Sequence, residues 1–225
     1  MGQRGLITII SGNALLLLMV ATMLTAAAAP PSTLQTRAIE EYGAAAGELV
    51  SQWEALVAAA DDLDINARLN ASNTFFNRHI RWINDEAAYG VEDYWATPLE
   101  TMGNARGDCE DFTIAKYITL LTMGVDPESL RLVYVKAKRS GLTQAHMVLA
   151  WYESPQSTPL ILDNMETRIL PADERGDLFP IFSFNGGALW IGNRNKRTEA
   201  DPRARLSRWR QVLDRMQQEG FEPRF

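Results

Sequence analysis

Apolar and polar positions alternate with helical spacing in the first third of the chain. Between residues 33 and 60 apolar side chains recur at three- and four-residue steps, which predicts helix. Gly43 and Gly47 lie inside this run and argue against one unbroken helix. Residues 71–88 carry a second apolar stripe and predict a second helix. Residues 93–106 lack such a repeat and are interpreted as a loop.

The clearest helix begins near the middle of the chain. Gly107 interrupts the preceding segment, and Asp108 is a favourable N-cap residue. Gly124 is a typical stop signal at the other end. Between them the apolar residues repeat at three-residue steps: Phe112, Ala115, Ile118 and Leu121. This pattern predicts a helix that starts at residue 109 with an apolar face.

Strand-like segments follow the helix. Runs rich in Val, Leu, Ile and Tyr predict strands at residues 130–138, 145–152 and 160–164. Short polar links, beginning with Ser140 and Gly141, join them and favour antiparallel pairing. Residues 178–192 are a further strand or loop region, and residues 203–218 predict a closing helix. Helices followed by a sheet predict an α+β fold for a single domain over residues 30–225.

The N-terminus has the pattern of an export signal. Arg4 precedes a mostly apolar stretch over residues 6–24, and four alanines stand immediately before Pro30. We therefore expect residues 1–29 to be a signal peptide. The alternative is an uncleaved membrane anchor, because the apolar stretch approaches the length that spans a bilayer. In both cases the rest of the chain is expected to be exported.

Composition excludes some functional classes. Apolar residues make up 46% of the 225 positions and charged residues 22%, which fits a chain that buries a core. The net charge of −6 provides no electrostatic footprint for nucleic acid, so no nucleic-acid partner is expected. The Arg-rich stretch over residues 196–210 is interpreted as a solvated helix face.

Cys109 is the single cysteine, so it has no partner for an internal disulfide. It is therefore a buried apolar residue, half of an intermolecular bridge or a reactive thiol. Its predicted position at a helix N-terminus favours the reactive thiol, because the helix dipole stabilises a thiolate there. A purely structural cysteine would more often lie on the apolar stripe, and Cys109 precedes that stripe.

His146 is the candidate base for this thiol. The only other histidine, His79, lies inside a predicted helix and is interpreted as a partly exposed surface residue. His146 opens the second predicted strand, and Asp163 follows the apolar residues 160–162 of the third. If these strands are neighbours, the carboxylate of Asp163 can reach and orient the imidazole. Asn164 is the competing candidate for that role.

Three carboxylates surround the cysteine: Asp108, Glu110 and Asp111. Their charges raise the pKa of a nearby thiol and oppose catalysis. One explanation is that they cap the helix and complement its dipole. The other is a bound divalent cation, for which oxygen-only ligands favour Ca²⁺ over Zn²⁺. The spacing is not that of an EF-hand loop.

Three short motifs resemble the bacterial transglutaminase-like cysteine proteinases. They are Gly-Asp-Cys-Glu-Asp-Phe at 107–112, Ala-His-Met-Val-Leu at 145–149 and Leu-Asp-Asn at 162–164. The resemblance covers roughly residues 80–169. It implies a papain-like fold with the cysteine on a helix packed against an antiparallel sheet, and a triad of Cys109, His146 and Asp163. It also implies Ca²⁺-dependent activity with Asp108, Glu110 and Asp111 as ligands.

The same resemblance carries expectations about biology. It implies a periplasmic endopeptidase that cuts the N-terminal region of a large surface adhesin at a small-residue site such as paired alanines. Cleavage would release the adhesin and promote biofilm dispersal. The periplasmic domain of an inner-membrane cyclic di-GMP receptor would act as inhibitor. Two alternatives remain open at the level of sequence: an amide-transferring transglutaminase with the same triad, and a non-catalytic calcium-binding module.

Overall fold

The computed structural model describes residues 30–192 and 196–221. The signal segment expected at residues 1–29 lies outside the described residues. Within those two ranges, no helix combines the length and the apolar character needed to cross a bilayer.

Helices occupy the N-terminal third of the domain. The run predicted over residues 33–60 contains two helices and a short 3₁₀ turn: α1 (Thr33–Tyr42), α2 (Ala44–Ala58) and the turn Ala59–Asp62. The break falls at Gly43, whose φ of 93° is a conformation that other residues rarely adopt. Gly47 remains inside α2 and lies against the side chain of Ile39.

The helix predicted over residues 71–88 is wrong at both ends. The observed helix, α3 (Ile65–His79), begins at an Asp64 cap and ends before Ile80, which is extended. The chain then forms β1 (Arg81–Trp82), and a short helix α4 (Asp85–Tyr89) follows. Tertiary pairing explains the difference, because β1 runs parallel to β2 (Arg106–Gly107) and exchanges the helical hydrogen bonds for sheet bonds.

The predicted loop over residues 93–106 contains a helix, α5 (Pro98–Asn104). A capping box starts it: the Glu100 amide donates to Oγ1 of Thr97 at 3.1 Å, and the Thr97 amide donates to Oε2 of Glu100 at 2.8 Å. The Thr-Pro-x-Glu pattern is a recognised helix start. The sequence therefore carried this signal, although the apolar repeat did not reveal it.

The central helix, α6 (Cys109–Thr122), is confirmed with the predicted start. Every residue from 111 to 121 is buried, so the helix is enclosed on all sides. It packs against α3 on one side and against the sheet on the other.

The sheet has seven strands in the described chain, and all neighbours are antiparallel, as predicted. Its order is β6-β5-β4-β3-β7-β8-β9. The strands are β3 (Leu130–Arg139), β4 (Leu142–Trp151), β5 (Leu160–Leu162), β6 (Leu170–Pro171), β7 (Leu178–Phe184), β8 (Leu189–Ile191) and β9 (Lys196–Thr198). The chain closes with α7 (Pro202–Arg205) and α8 (Ser207–Glu219), where one helix was predicted.

The register of β4 against β5 places two of the sequence candidates together. Leu149 pairs with Leu162. The residue after β5, Asp163, therefore continues toward Val148, two residues from His146. Side chains two apart lie on the same face of a strand, so Asp163 and His146 emerge on one side of the sheet.

Candidate active site

His146 and Asp163 form a buried pair. The imidazole Nε2 lies 2.8 Å from Oδ1 of Asp163, and both side chains are fully buried. The contact that the strand order predicted is thus present. No contact of this kind joins Asn164 to His146 in the described part of the chain.

Asp163 is also held by two further donors. The backbone amide of Met165 donates to Oδ1 at 3.0 Å, and Nη2 of Arg175 donates to Oδ2 at 2.8 Å. Burial acts to raise the pKa of Asp163, but the hydrogen bond and charge of His146, together with these donors, hold it well below its usual range. The carboxylate is therefore ionised at neutral pH.

Arg175 was missed by sequence reasoning. It is 5% exposed, and it also donates to Asp177, from Nε to Oδ1 and from Nη2 to Oδ2, each at 2.9 Å. It lies 12 residues beyond Asp163, in a loop without an apolar repeat. Nothing in the local sequence pattern indicates this ion pair.

The ionised carboxylate fixes the tautomer of His146. An ionised acid only accepts hydrogen bonds, so Nε2 must carry the proton that Asp163 receives. In a neutral ring Nδ1 is then the unprotonated nitrogen. It is buried and has no hydrogen-bond partner among the described residues. Nδ1 is therefore the nitrogen available to act as a base.

Cys109 and His146 line the same cleft, which has a volume of about 530 Å³. The side chains of Trp95 and Tyr134 also line it. Cys109 is the first residue of α6, and a hydrogen bond from the backbone N–H of Met147, the residue after His146, favours its thiolate. The structure thus brings the candidate nucleophile and the candidate base to one opening.

The thiol itself points to a carboxylate. Sγ of Cys109 donates to Oε2 of Glu110 at 2.8 Å. Burial raises the pKa of the Cys109 thiol well above its ordinary value, and the charges of Glu110 and Asp108 add to this effect. The Met147 N–H acts in the opposite direction but does not outweigh them. In this arrangement the thiol is protonated and a weak nucleophile.

The three carboxylates around Cys109 are joined by two that sequence reasoning missed, Asp85 and Asp93. Ligand oxygens of Asp85, Asp108 and Asp111 lie within 4.8 Å of one another, as do those of Asp85, Asp93 and Glu110. Asp85 belongs to the wrongly predicted second helix and Asp93 to the loop beyond it. Their approach depends on the β1–β2 pairing, which the sequence pattern did not reveal.

The cluster has the properties of a site for a hard cation. Asp85 and Asp108 each have a buried Oδ1 without a hydrogen-bond partner among the described residues. Burial raises the pKa of Asp85 to about 6, and burial together with the charge of Glu110 raises the pKa of Asp108 to about 8. Oxygen atoms of this kind, close together and unpaired, suit Ca²⁺.

Unlike Asp85 and Asp108, Asp111 accepts a backbone hydrogen bond at each of its carboxylate oxygens. Its Oδ1 accepts from the Ala96 amide at 2.7 Å, and its Oδ2 accepts from the Asp108 amide at 3.2 Å. Its side chain therefore ties the loop before α5 to the start of α6. It lies within the cluster, but both of its oxygens already have donors.

Two further side chains, His79 and Trp95, have structural roles. His79 is exposed at the end of α3, with Nδ1 2.9 Å from the carbonyl oxygen of Phe75, as expected for a surface histidine. Trp95 is buried and stacks on Phe184 with 5.9 Å between ring centroids. Because its side chain also lines the cleft, Trp95 both packs the core and borders the site.

Comparison with known proteins identifies the family of the chain. The family of bacterial transglutaminase-like cysteine proteinases (BTLCP) matches residues 50–179, more than half of the chain. The chain therefore belongs to the bacterial transglutaminase-like cysteine proteinases, and the predicted α+β fold of that family is confirmed.

Among solved structures, the chain is similar to LapG of Legionella pneumophila. The EGTA-treated form is 36% identical, with a TM-score of 0.72 over 81% of this chain and 95% of that one. The calcium-bound form is 35% identical, with a TM-score of 0.71 over 81% of this chain and 97% of that one. LapG has thus been seen with calcium. No curated protein matches the chain.

Proposed function

We propose that this protein is a calcium-dependent cysteine endopeptidase in which Cys109 is the nucleophile, His146 the base and Asp163 the orienting acid. One observation carries the proposal. Cys109 and His146 open on one cleft, while the far nitrogen of the imidazole is bound to an ionised Asp163. This is the relationship that nucleophile, base and acid need.

The reaction follows from these roles. The Cys109 thiolate attacks the peptide carbonyl carbon, and the proton taken up by Nδ1 of His146 passes to the leaving amine as the C–N bond breaks. His146 then removes a proton from water, which attacks the thioester and releases the acid and the free thiol. The Cys109 amide, in the first turn of α6 where N–H groups lack helical partners, is the proposed oxyanion donor.

Calcium would be held by Asp108 and Glu110 together with Asp85 and Asp93. Asp111 would keep the loop before α5 in place against the start of α6. When bound, Ca²⁺ would supply positive charge beside the thiol and offset the carboxylates that raise its pKa. The support is the pair of unpartnered oxygens at Asp85 and Asp108 and the calcium-bound form of LapG. Asp111 was expected as a ligand and remains a candidate beside them.

The proposed substrate is the N-terminal region of a large surface adhesin, cut in the periplasm at a small-residue site such as Ala-Ala. Release of the adhesin would promote biofilm dispersal. The periplasmic domain of an inner-membrane cyclic di-GMP receptor is the proposed inhibitor. These parts of the proposal rest on the family resemblance of the three sequence motifs and on the likeness to LapG.

The test is incubation of the purified protein with the N-terminal region of a candidate adhesin, with and without calcium, followed by sequencing of the fragments. We expect one cut between small residues, in calcium only. Adding a primary amine separates the outcomes, because incorporation of the amine in place of water would indicate a transglutaminase. Absence of both reactions for every adhesin region tried would contradict the proposal.

A further inference from the structure

One stripe of α6 contacts the backbone beside each member of the proposed triad. Residues 109, 113 and 116 are spaced by four and three positions, so their side chains lie on the same helix face. Cys109 is at the top of this stripe. Thr113 and Lys116 lie below it, and both side chains are buried.

Thr113 connects the nucleophile to the strand of the base. Its Oγ1 lies 2.8 Å from the carbonyl oxygen of Cys109 and 3.0 Å from that of Met147. Met147 follows His146 on β4. The hydroxyl therefore fixes the distance between the first turn of α6 and the backbone that carries the imidazole. A methyl group in its place would keep the volume and lose both contacts.

Lys116 connects the same helix to the acid. Its Nζ donates to the carbonyl oxygen of Asp163 at 3.0 Å and lies 5.6 Å from the ring centroid of Phe112. Nδ2 of Asn77, on α3, donates to the same carbonyl oxygen at 2.9 Å. Two helices therefore hold the residue whose side chain orients His146.

A lysine at this place is costly for the fold. Lys116 is 1% exposed, and burying an amine is unfavourable unless its hydrogen bonds are replaced. An apolar residue of similar length would fill the same space in a helix that is otherwise enclosed by core. An apolar residue could not donate to the carbonyl oxygen of Asp163. This hydrogen bond is therefore what distinguishes lysine from such a residue.

We propose that Thr113 and Lys116 are positioning residues, which hold His146 and Asp163 in register with Cys109. The proposal rests on the proposed catalytic function of those three residues. Neither Thr113 nor Lys116 lines the cleft, so they act through the backbone of the triad and not on the substrate.

The test compares Thr113→Val and Lys116→Met with a matched control, Thr119→Val. Thr119 is also a buried threonine of α6; its hydroxyl accepts from Nε1 of Trp53 at 2.8 Å and donates to the Ala115 carbonyl. Removal of this hydroxyl perturbs the core, but the hydroxyl has no contact with the triad residues. Thr113→Ser restores the hydroxyl and serves as the rescue variant.

Two readouts are measured for each variant. The first is kcat and KM for the adhesin fragment that the wild type cleaves. The second is the rate at which iodoacetamide alkylates Cys109 in calcium at about pH 6, where a free thiol reacts slowly. Because Cys109 is the single cysteine, this rate reports the Cys109 thiolate that is paired with His146, and the measurement needs no substrate.

We expect Thr113→Val and Lys116→Met to lower kcat and the alkylation rate by about 10- to 100-fold with little change in KM, the size that a misplaced catalytic group produces. Thr113→Ser should recover most of the loss, and Thr119→Val should keep both rates. If both variants react and cleave at the wild-type rates, the proposal is overturned. If Lys116→Met does not fold, the Val and Ser variants of Thr113 decide.

Failure of the two proposals can be separated. A wild type that cleaves no adhesin fragment contradicts the proposed function, yet the alkylation rates still test positioning. Slow alkylation in the variants alone would then support the positioning role. Equal alkylation in all proteins would overturn it, whatever the substrate result.

Discussion

Sγ of Cys109 lies 2.8 Å from Oε2 of Glu110, its neighbour in the first turn of α6. The nucleophile of the proposed mechanism is therefore hydrogen-bonded to the carboxylate of Glu110, which belongs to a cluster of five carboxylates. Loss of the thiol proton next to these charges is unfavourable. In the proposed mechanism, positive charge must therefore enter the cluster before the thiol can react.

Chelation of calcium should stop proteolysis. In excess EGTA we expect the cleavage rate of the adhesin fragment to fall below detection and to return when calcium is restored. Asp108→Asn should mimic the chelator, because it removes a carboxylate that is proposed to hold calcium. Glu48→Gln, which changes an exposed acid on α2, is the matched control. Unchanged turnover in EGTA would remove calcium from the mechanism.

In the absence of calcium, the cluster should make stability depend on pH in a definite direction. The pKa of Asp85 is raised to about 6 and that of Asp108 to about 8, whereas both are near 4 in an unfolded chain, about 3.9 for a free Asp. Between these limits the folded state binds more protons than the unfolded state. The free energy of unfolding should therefore fall as the pH rises from about 4 to about 8 in the absence of calcium.

Urea unfolding at pH values across this window, with and without calcium, checks the sign. Calcium should stabilise the protein more at the upper end, where the carboxylates are ionised in its absence. Asp85→Asn should flatten the calcium-free slope. A calcium-free stability that rises over the same window would be inconsistent with the raised pKa values.

Gly107→Ala should destabilise the start of α6. A Cβ at this position would lie 2.6 Å from Oδ2 and 2.7 Å from Cβ of Asp111. Asp111 is buried and holds two backbone amides, so it has little freedom to move. We expect a loss of about 1–3 kcal/mol in the free energy of unfolding, as for other overpacked sites.

Gly187→Ala is the control for that substitution, because nothing lies within 4 Å of a Cβ there. Thermal unfolding of both variants gives the comparison. Equal stability of Gly107→Ala and wild type would mean that Asp111 is not fixed as described.

Arg175→Met should impair catalysis through Asp163. The substitution keeps an unbranched side chain but removes the donor to Oδ2, and the pKa of Asp163 should rise. Loss of one partner of a buried ion pair is worth about 3–5 kcal/mol. We expect lower stability and a reduced kcat, with the acid limb of the pH–rate profile moved upward as Asp163 becomes easier to protonate.

Arg168→Met is the matched control, since Arg168 is exposed and pairs only with Glu166 among the described residues. It should leave kcat and the pH profile unchanged. If Arg175→Met has the same kcat and profile as Arg168→Met, then the ion pair does not orient the acid.

Sequence pattern predicted the central part of this molecule better than its edges. The Asp108 cap, the apolar repeat of α6 and the β-rich runs after it are local signals, and local signals define a helix start or a strand. The pairing of His146 with Asp163 followed from strand order alone. These elements contain all three proposed catalytic residues.

The parts that were missed depend on contacts between distant segments. The Arg81 amide donates to the Ala105 carbonyl, and this pairing ends α3 early and brings Asp85 toward Asp108. Neither residue has a local pattern that indicates the contact. The contact between Arg175 and Asp163 likewise arises from packing of a loop. Carboxylate clusters and ion pairs of this kind are set by tertiary structure, so one sequence does not reveal them.

The cleavage rate of Cys109→Ala on the adhesin fragment in calcium tests the proposed nucleophile, on which the mechanism depends. We expect a folded protein with wild-type calcium binding and a rate lower by at least about 10³-fold, the usual effect of removing a nucleophile. If a folded Cys109→Ala protein cuts the fragment at the wild-type rate, the proposed mechanism is wrong.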